Sequence, residues 1–582
     1  MNNDHQYLDH LRHSCAHLLA AAVMELWPDT KRTIGPAIEN GFYYDFEFAN
    51  PISESDLSKI EQKMRELVKK WEGFERKEVT IDEAKQLFAN NLYKLELIDE
   101  FSKAGQTLTL YTSGNYVDLC RGGHSTHPKV ELKHFKLLKI AGAYWRGDEH
   151  NTMLTRIYGT CWPTKEELDA YLLQQEEAKK RDHRKLGKEL DLFVFSELVG
   201  PGLPLYTPKG ALIRRLLQQF VGELQGSIGY EEAWTPQVTK ADLFKVSGHY
   251  DKYKDDMFRV SSNYSDEEFF LKPMNCPMHA QIYASRPRSY RDLPIRICDY
   301  ANLYRDEKPG ELSGLTRLRA FSQDDGHCFC REDQIETEFT NVANIIKFAI
   351  AKFDMKYWIR LSLWDPNNRE KYLGAPETWE RSQATLEEIV KKLGVEYKKA
   401  EGEAAIYGPK MDFMAVDALG REWQISTIQL DFIQPQRFEL RYTDQDGQLK
   451  QPVMIHRAIL GSPERFLGLL IEHFAGAFPI WLSPIQAVVI PISQDQNEYA
   501  RVVLNQLRAA GIRAENWNEA ESMQNRIRKA EKQKIPYMLV VGKREEEERT
   551  VAIRKRGNKN EGSKQLEEFI TNLRKEIDER AL

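Results

Sequence analysis

The sequence predicts an α+β protein of several domains, with an antiparallel sheet at its centre. A chain of 582 residues is too long for one hydrophobic core and implies three to four domains. The stretch from about 191 to 481 mixes alternating apolar strands, Gly/Pro turns and helices, as in a domain built on an antiparallel sheet. The last hundred or so residues alternate strand and helix, which predicts a small α/β domain with a largely parallel sheet.

Taken in order, residues 1–163 open with a helix. Leu11, Cys15, Leu18, Leu19, Val23 and Leu26 recur at helical spacing, and Pro28 stops it. An aromatic strand follows at 41–46, and Thr80 with Glu83 forms a capping box for another helix. The same pattern at Thr164 and Glu167 starts one long charged helix, a connector over 164–190. After the central domain (191–481), residues 482–582 read as strand 485–492, helix 496–510, strand 512–517, helix 521–534, strands 537–542 and 549–554, and helix 563–580.

Apolar residues make up 41% and charged residues 29%, as in a globular protein. No run of about 18 apolar residues exists, so no membrane span is expected. The N-terminus lacks the apolar core of a secretion signal. Seven scattered cysteines, an odd number, point to reduced thiols and a cytoplasmic location. The net charge of −6 weighs mildly against a nucleic-acid binder. Local basic stretches at 179–188 (KKRDHRKLGK) and 526–534 (RIRKAEKQK) are either solvated helix faces or RNA contacts.

Neither a G-x-x-x-x-G-K-[ST] loop nor a G-x-G-x-x-G turn after a strand is present. Any nucleotide must therefore be held by side chains, and arginine forks well onto phosphate oxygens. Segment 303–327 (LYRDEKPGELSGLTRLRAFSQDDGH) offers them. Strand alternation puts Arg305 and Glu307 on one face before a Gly/Pro loop, and Arg317, Arg319 and Phe321 on one face after it. This is either an anion site or an exposed, ion-paired hairpin.

That segment resembles motif 2 of the class II aminoacyl-tRNA synthetases. Residues 229–238 (GYEEAWTPQV) resemble motif 1, whose proline, Pro236 here, implies a homodimer interface, and 461–466 (GSPERF) resemble motif 3. KPMNCPMH (272–279), FSQDDGHCFC (321–330), EGEAAIYGPKMDF (401–413), WQISTIQLDF (423–432) and HRAILGS (456–462) narrow the resemblance to the threonyl-tRNA synthetase family, from about residue 8 to the C-terminus. It implies a class II antiparallel-sheet catalytic domain, an N-terminal α+β editing domain and a C-terminal α/β anticodon-binding domain. The implied partners are ATP with Mg²⁺, L-threonine and tRNA(Thr). The additional small β-rich domain that begins many members is expected to be missing.

The resemblance also assigns roles. Arg305 meets the α-phosphate and Arg317 the γ-phosphate, with Lys410 as a further catalytic group. Glu307 accepts from the adenine amino group, and Phe321 and Arg465 sandwich the ring. Cys276, His327 and His456 bind one Zn²⁺, an assignment their distant positions in the chain would not suggest; a thiolate and two imidazoles leave a fourth position open. Asp325 holds the substrate hydroxyl, with Gln323, Tyr407 and Gln429 nearby.

Serine keeps the amine and hydroxyl of threonine and lacks only a methyl group, worth roughly 1–3 kcal/mol, so a second, hydrolytic site is expected. His13 and His17 share a helix face, and Cys120 and His124 form C-x-x-x-H after Asp118. By residue type these four are a metal set, a packed cluster or a metal-free catalytic group. The resemblance favours metal-free hydrolysis, with Tyr44 lining the pocket. Two departures from the family pattern stand out: CRGGH for CRGPH, which loosens a turn beside Cys120, and MNCPMH for MNCPGH, which places Met278 near a zinc ligand. Asn518, Glu545 and Arg554 match anticodon-reading positions or are ordinary surface residues. The competing readings are a prolyl or histidyl synthetase, a non-catalytic RNA-binding relative and a lone N-terminal metallohydrolase.

Overall fold

A computed structural model describes residues 2–148 and 150–582, and side chains from residue 5 onward in the same ranges. The chain forms two compact units, one ending at Glu176 and the other running from Glu177 to Leu582.

The first unit is built on helix α1 (Asn2–Leu26), whose apolar positions match the spacing in the sequence. Leu11, Cys15, Leu18, Leu19 and Val23 are fully buried. They pack against an antiparallel sheet in the order Lys31–Arg32, β1 (Gly41–Glu47), Met153–Trp162 and His134–Tyr144. A second, three-stranded sheet pairs Glu75–Glu78, β2 (Thr109–Ser113) and β3 (Tyr116–Leu119). β3 runs into the loop that carries Cys120 and His124. Thr80 and Glu83 cap their helix reciprocally, as the sequence predicts.

The connector is not one helix. It is α2 (Lys165–Arg181) followed by α3 (His183–Glu189). Asp182 breaks it by taking a non-helical conformation and accepting the Arg184 N–H at 2.8 Å. This is the ordinary work of an aspartate at a helix N-cap.

The second unit centres on an eight-stranded sheet. In spatial order it runs Glu231–Glu232, β4 (Ile295–Tyr304), β5 (Ala320–Cys330), Val453–Ala458, Glu422–Asp431, Lys410–Val416, Lys356–Leu363 and Tyr397–Glu401. Its six inner strands are antiparallel and only the two edges pair in parallel. With β6 (Lys410–Val416), β7 (Glu422–Asp431) and β8 (Val453–Ala458), β5 forms the floor of the site. One sheet face is covered by helices Pro208–Ser227 and Ile335–Ala351, which bury Ile213, Phe220, Phe339 and Ile346. Helix α4 (Pro463–His473) follows β8.

The sequence places Arg305, Glu307, Arg317 and Arg319 on strands, but β4 ends at Tyr304 and β5 begins at Ala320. All four lie in the connecting loop, so strand alternation does not orient them. In the C-terminal part, the strands order as Ala514–Asn516, Ala487–Pro491, Tyr537–Val541, Thr550–Lys555 and Lys559–Gln565. The sheet is mixed, with two parallel and two antiparallel pairings, where a largely parallel one was expected. Strand Lys559–Gln565 occupies what read as the start of the last helix, which begins at Leu566.

Ile428 lies fully buried in β7, on the side of the sheet that packs against the covering helices. Ile428→Ala is expected to destabilise this unit by roughly 2–5 kcal/mol, the cost of a core cavity. Denaturant unfolding followed by tryptophan fluorescence checks it.

Candidate active sites

β5 carries the first site. Phe321, Gln323, Asp325 and His327 alternate along it and so share a face. Phe321 and Gln323 line a cavity of about 520 Å³ with Arg305, Glu307, Arg317, Trp423, Thr427, Gln429 and Arg465. The loop is tied to itself. Arg317 donates to Glu307 at 2.8 Å and to Glu311 at 2.7 Å. Arg319 turns away from the cavity and donates twice to the Glu307 carbonyl, at 3.0 and 2.9 Å. The Arg305 guanidinium sits 5.1 Å from the Phe321 ring centre, and Arg465 lies 5.9 Å from that of Trp423. Trp423 has no signal of its own in the sequence beyond being aromatic.

Farther along the same face, ligand-type atoms of Cys276, His327 and His456 all lie within 4.8 Å of one another, and all three residues are buried. Each imidazole is oriented from behind. His456 Nε2 lies 2.8 Å from Asp431 Oδ2, leaving Nδ1 toward the cluster, and Tyr407 stacks on its ring at 4.6 Å. His327 Nδ1 lies 2.7 Å from His279 Nδ1, leaving Nε2, which is 3.8 Å from Asp325 Oδ1. Burial, with His456 and His279 nearby, pulls the His327 pKa well below the imidazole range, so the ring is the neutral, ligating form. Burial also pushes the Asp325 carboxyl up to about 6. Asp431 and His279 are partners that ligand spacing alone does not reveal. The Tyr407 hydroxyl donates to Gln429 at 2.7 Å, and Lys410 pairs with Asp412 at 3.0 Å rather than lining the cavity. Met278 lines a different, apolar cavity with Trp234, Pro236 and Phe438, and does not point at the cluster.

The second site lies in the first unit. His13, His17, Cys120 and His124 bring ligand-type atoms within 4.8 Å of one another. Cys120 Sγ is 3.5 Å from His13 Nε2 and 3.3 Å from His124 Nε2. The tautomers follow from the outer partners. The Ser14 hydroxyl donates to the His10 carbonyl, so it accepts from His124 Nδ1 at 3.3 Å. His13 Nδ1 donates to the Gly123 carbonyl at 3.3 Å. Both Nε2 lone pairs therefore converge on the thiol. Gly123 takes φ +79°, which proline cannot adopt, so CRGGH turns differently from CRGPH. Burial pushes the Cys120 thiol up to about 11. Phe74 stacks on His124 at 4.1 Å.

Asp118 sits behind this cluster. It accepts from Lys94 at 2.7 Å, Tyr44 at 2.6 Å, Tyr116 at 2.9 Å and the Leu119 N–H at 2.9 Å. Against the upward push of burial, Lys94 and Arg32 hold its carboxyl well below the usual range. Tyr44 thus faces Asp118 rather than the imidazoles. Lys94, fully buried, is a site residue that reads in sequence as one more charge on a helix.

In the C-terminal part, Glu545 accepts the Gly542 N–H at 3.0 Å and stabilises a helix start, while Asn518 is exposed and Arg554 half-buried.

An antiparallel sheet that carries a stacking ring and two buried imidazoles on one strand face and its neighbour, with arginines reaching the same cavity from the adjoining loop and helix, defines a class II synthetase core. Residues 258–474 match the family described as tRNA synthetase class II core domain (G, H, P, S and T). Residues 486–576 match the anticodon binding domain, and 108–158 the threonyl and alanyl tRNA synthetase second additional domain. The threonine–tRNA ligase of Rubrobacter xylanophilus is 50% identical over 97% of this chain and 88% of its own, and that of Gloeobacter violaceus 48% over 99% and 94%. A Cryptosporidium parvum structure, the RNA binding domain of its threonyl-tRNA synthetase, superposes with a TM-score of 0.64 at 38% identity, covering 67% of this chain and 97% of that one. The chain belongs to the threonine–tRNA ligase family, whose reaction joins threonine to tRNA at the expense of ATP. A prolyl-tRNA synthetase structure, 16% identical with a TM-score of 0.53, shares the fold alone.

Burial holds His13, His17 and His124 below the ordinary imidazole value, His124 down to about 3. The unfolded chain takes up protons on them below about pH 6.5, while the folded unit does not. Stability of this unit therefore falls as pH drops through that window, by up to about 1.4 kcal/mol per pH unit for each ring. Amide exchange in α1 between pH 6.5 and 4 should be less pH-dependent in His124→Asn than in the parent; equal slopes would contradict a neutral buried ring.

Proposed function

We propose that the chain activates L-threonine on the cavity of the second unit and clears serine at the histidine cluster of the first. What carries the reading is one strand face that runs from a stacking ring to a buried Cys/His₂ set.

ATP enters as its Mg²⁺ complex. Glu307 accepts from the adenine amino group, Phe321 and Arg465 take the ring between them, and Arg305 and Arg317 meet the α- and γ-phosphates. The Arg317–Glu307 ion pair parts so that each can engage the nucleotide. The threonine carboxylate forms a bond to the α-phosphorus as the bond to the pyrophosphate leaving group breaks. Charge on the phosphate oxygens is stabilised by the arginines and Mg²⁺, with no protein nucleophile. Lys410, held beside Gln429 by strand pairing, parts from Asp412 to bring positive charge near the carboxylate.

Cys276, His327 and His456 hold one Zn²⁺. The donor set, its burial, the neutral His327 ring and the orientation of both rings from behind fit that ion. Bound there, zinc would supply Lewis-acid coordination to the amine and hydroxyl of threonine, which valine, lacking the hydroxyl, would not satisfy. Asp325 accepts from the substrate hydroxyl, and Gln323, Tyr407 and Gln429 shape the pocket. In the first unit, the converging lone pairs of His13 and His124 orient a water toward the seryl ester. Its oxygen bonds to the carbonyl carbon as one of its protons passes to an imidazole Nε2, the bond to the ribose oxygen breaks as that oxygen takes the proton back, and serine and tRNA(Thr) leave without a metal. His17 and Cys120 complete the cage, which the Asp118–Lys94–Tyr44 group holds from behind.

The domain assignment places editing in 1–163, a linker in 164–190, catalysis in 191–481 and anticodon recognition by Asn518, Glu545 and Arg554 in 482–582. Trp234, 74% exposed beside Pro236 and Val238, supports a homodimer through this face. Seven free cysteines and no helix, among the described residues, long and apolar enough to cross a membrane support a cytoplasmic location.

The purified protein is expected to hold one zinc per chain and to catalyse threonine-dependent ATP–pyrophosphate exchange. His456→Ala should lose the zinc and lower the preference for threonine over valine by about 100-fold or more, given what a recognised hydroxyl contributes. Metal-free protein that still selects threonine over valine overturns the zinc reading, and two zinc ions per chain overturn metal-free editing. The double variant His13→Ala, His17→Ala should accumulate Ser-tRNA(Thr) while charging threonine at the parent rate.

A further inference from the structure

His183, in the connector helix α3, is 4% exposed and lies outside both sites. Its ring joins three elements. Nε2 lies 2.9 Å from the Leu315 backbone nitrogen, in the loop between β4 and β5. Nδ1 lies 2.6 Å from Glu472 Oε1, near the end of α4, the helix that carries Arg465 at its start. The tautomer is fixed by the partners: the Leu315 N–H can only donate, so Nε2 accepts and Nδ1 carries the proton to Glu472. Glu472 also receives the His183 N–H at 3.1 Å and the Arg421 guanidinium at 2.5 Å. Asp182, His183 and Glu472 together look like a metal set by residue type. Both ring nitrogens are engaged, however, so the trio is a hydrogen-bonded joint.

The loop passes directly over the ring. Gly314 takes φ +48°, and a Cβ there would lie 2.1 Å from His183 Nε2. On the other side, a Cβ at Gly468 of α4 would meet Leu315 Cβ at 3.3 Å and His183 Cδ2 at 3.5 Å. Leu315 is 1% exposed, and with Thr316, Arg317 and Leu318 it lines the cavity. Among the described residues, the Arg317 side chain is tied only to loop residues, Glu307 and Glu311. The loop's backbone is held from outside at its flanks, where the Arg319 N–H donates to the Gly202 carbonyl at 3.0 Å and the Asp306 N–H to the Asp256 carbonyl at 2.9 Å. Between them the His183–Leu315 contact ties the loop toward α4.

We propose that His183 is a positioning residue for nucleotide binding: it pins the arginine-bearing loop to the helix that carries Arg465, so that the two walls of the ATP site keep their spacing. The inference rests on the reading of that loop as the ATP site. It also gives the break at Asp182 a purpose, since a continuous connector helix would present a different residue to the loop. The joint is local to the second unit.

Glutamine can place an acceptor where Nε2 stands, whereas asparagine reaches only as far as Nδ1. In threonine-dependent ATP–pyrophosphate exchange, His183→Asn should raise the KM for ATP about tenfold, as expected for one lost buried hydrogen bond. The KM for threonine should change less than about twofold, and His183→Gln should restore the ATP KM to within about threefold of the parent. Equal ATP KM values for the Asn and Gln variants, or ATP and threonine KM rising together with a falling Tm, would mark a merely structural ring and overturn the proposal. Arg317→Ala separates the two ideas. If it leaves the ATP KM unchanged, the loop is not the ATP site. If it raises the KM while His183→Asn does not, only the positioning role fails. Should the His183 variants not fold, amide exchange in the parent decides: a Leu315 N–H as fast as the exposed loop amides overturns the joint, and one protected like α4 supports it.

Discussion

The pleat of β5 is the constraint on which the synthetic site depends. Successive side chains of a strand point to opposite faces, so Phe321 and Gln323, which line the cavity, share their face with Asp325 and His327 while Ser322, Asp324, Gly326 and Cys328 face away. At about 3.3 Å per residue, the first and last of the forward set stand roughly 20 Å apart. A one-residue slip would exchange the two sets entirely. The backward set prevents that slip. Asp324 accepts the backbone N–H groups of Ile459, Leu460 and Gly461, at 3.1, 2.7 and 3.1 Å, and so fixes the turn that launches α4 and Arg465. Gly326 leaves the space that the Arg457 guanidinium fills, since a Cβ there would lie 2.2 Å from its central carbon. Arg457 in turn donates to the Asp324 carbonyl at 2.9 Å and to Gln225 at 2.8 Å. Chemistry and register thus alternate residue by residue along one strand.

The two histidine clusters solve the same electrostatic problem differently. Burial keeps imidazoles neutral in each, His327 in the second unit and His17 and His124 in the first. In the second unit, the outer partners of His456 and His327 are a carboxylate and another imidazole, strong orienters suited to a cation. In the first, they are a carbonyl and a hydroxyl, weaker partners that leave the ring nitrogens as plain acceptors around a protonated thiol. The nearest carboxylate, Asp118, is already saturated by Lys94, Tyr44 and Tyr116.

What the sequence made legible were features with a local period. The spacing of α1 brought His13 and His17 onto one face, and the alternation in FSQDDGH ordered the strand. Loops escaped this kind of reasoning. Arg317 and Arg319 are two apart, yet one faces the cavity and the other clamps the Glu307 carbonyl, because no strand imposes alternation there. The break at Asp182 was hidden because a capping aspartate inside a charged run looks like one more solvated residue. Strand Lys559–Gln565 is exposed along nearly its whole length, so it lacks the apolar alternation that marks a strand. Cys276, His327 and His456 come from a helix start and two neighbouring strands, and only β5–β8 pairing, which sets His327 opposite His456, brings them together.

The separation into two sites follows from what each kind of pocket can measure. A pocket that engages a hydroxyl rejects a substrate lacking it, because buried polar groups are then left unpaired. The same pocket accepts a smaller substrate that keeps the hydroxyl, since the only loss is one methyl group's worth of contact. No rearrangement of β5 can remove that asymmetry. A cavity built around Asp325, His327 and His456 is committed to polar recognition and blind to a missing methyl. A pocket of that kind needs a second site to supply the discrimination it cannot, and β5, with one face given to the cavity and the other to its register, has no face left to carry it.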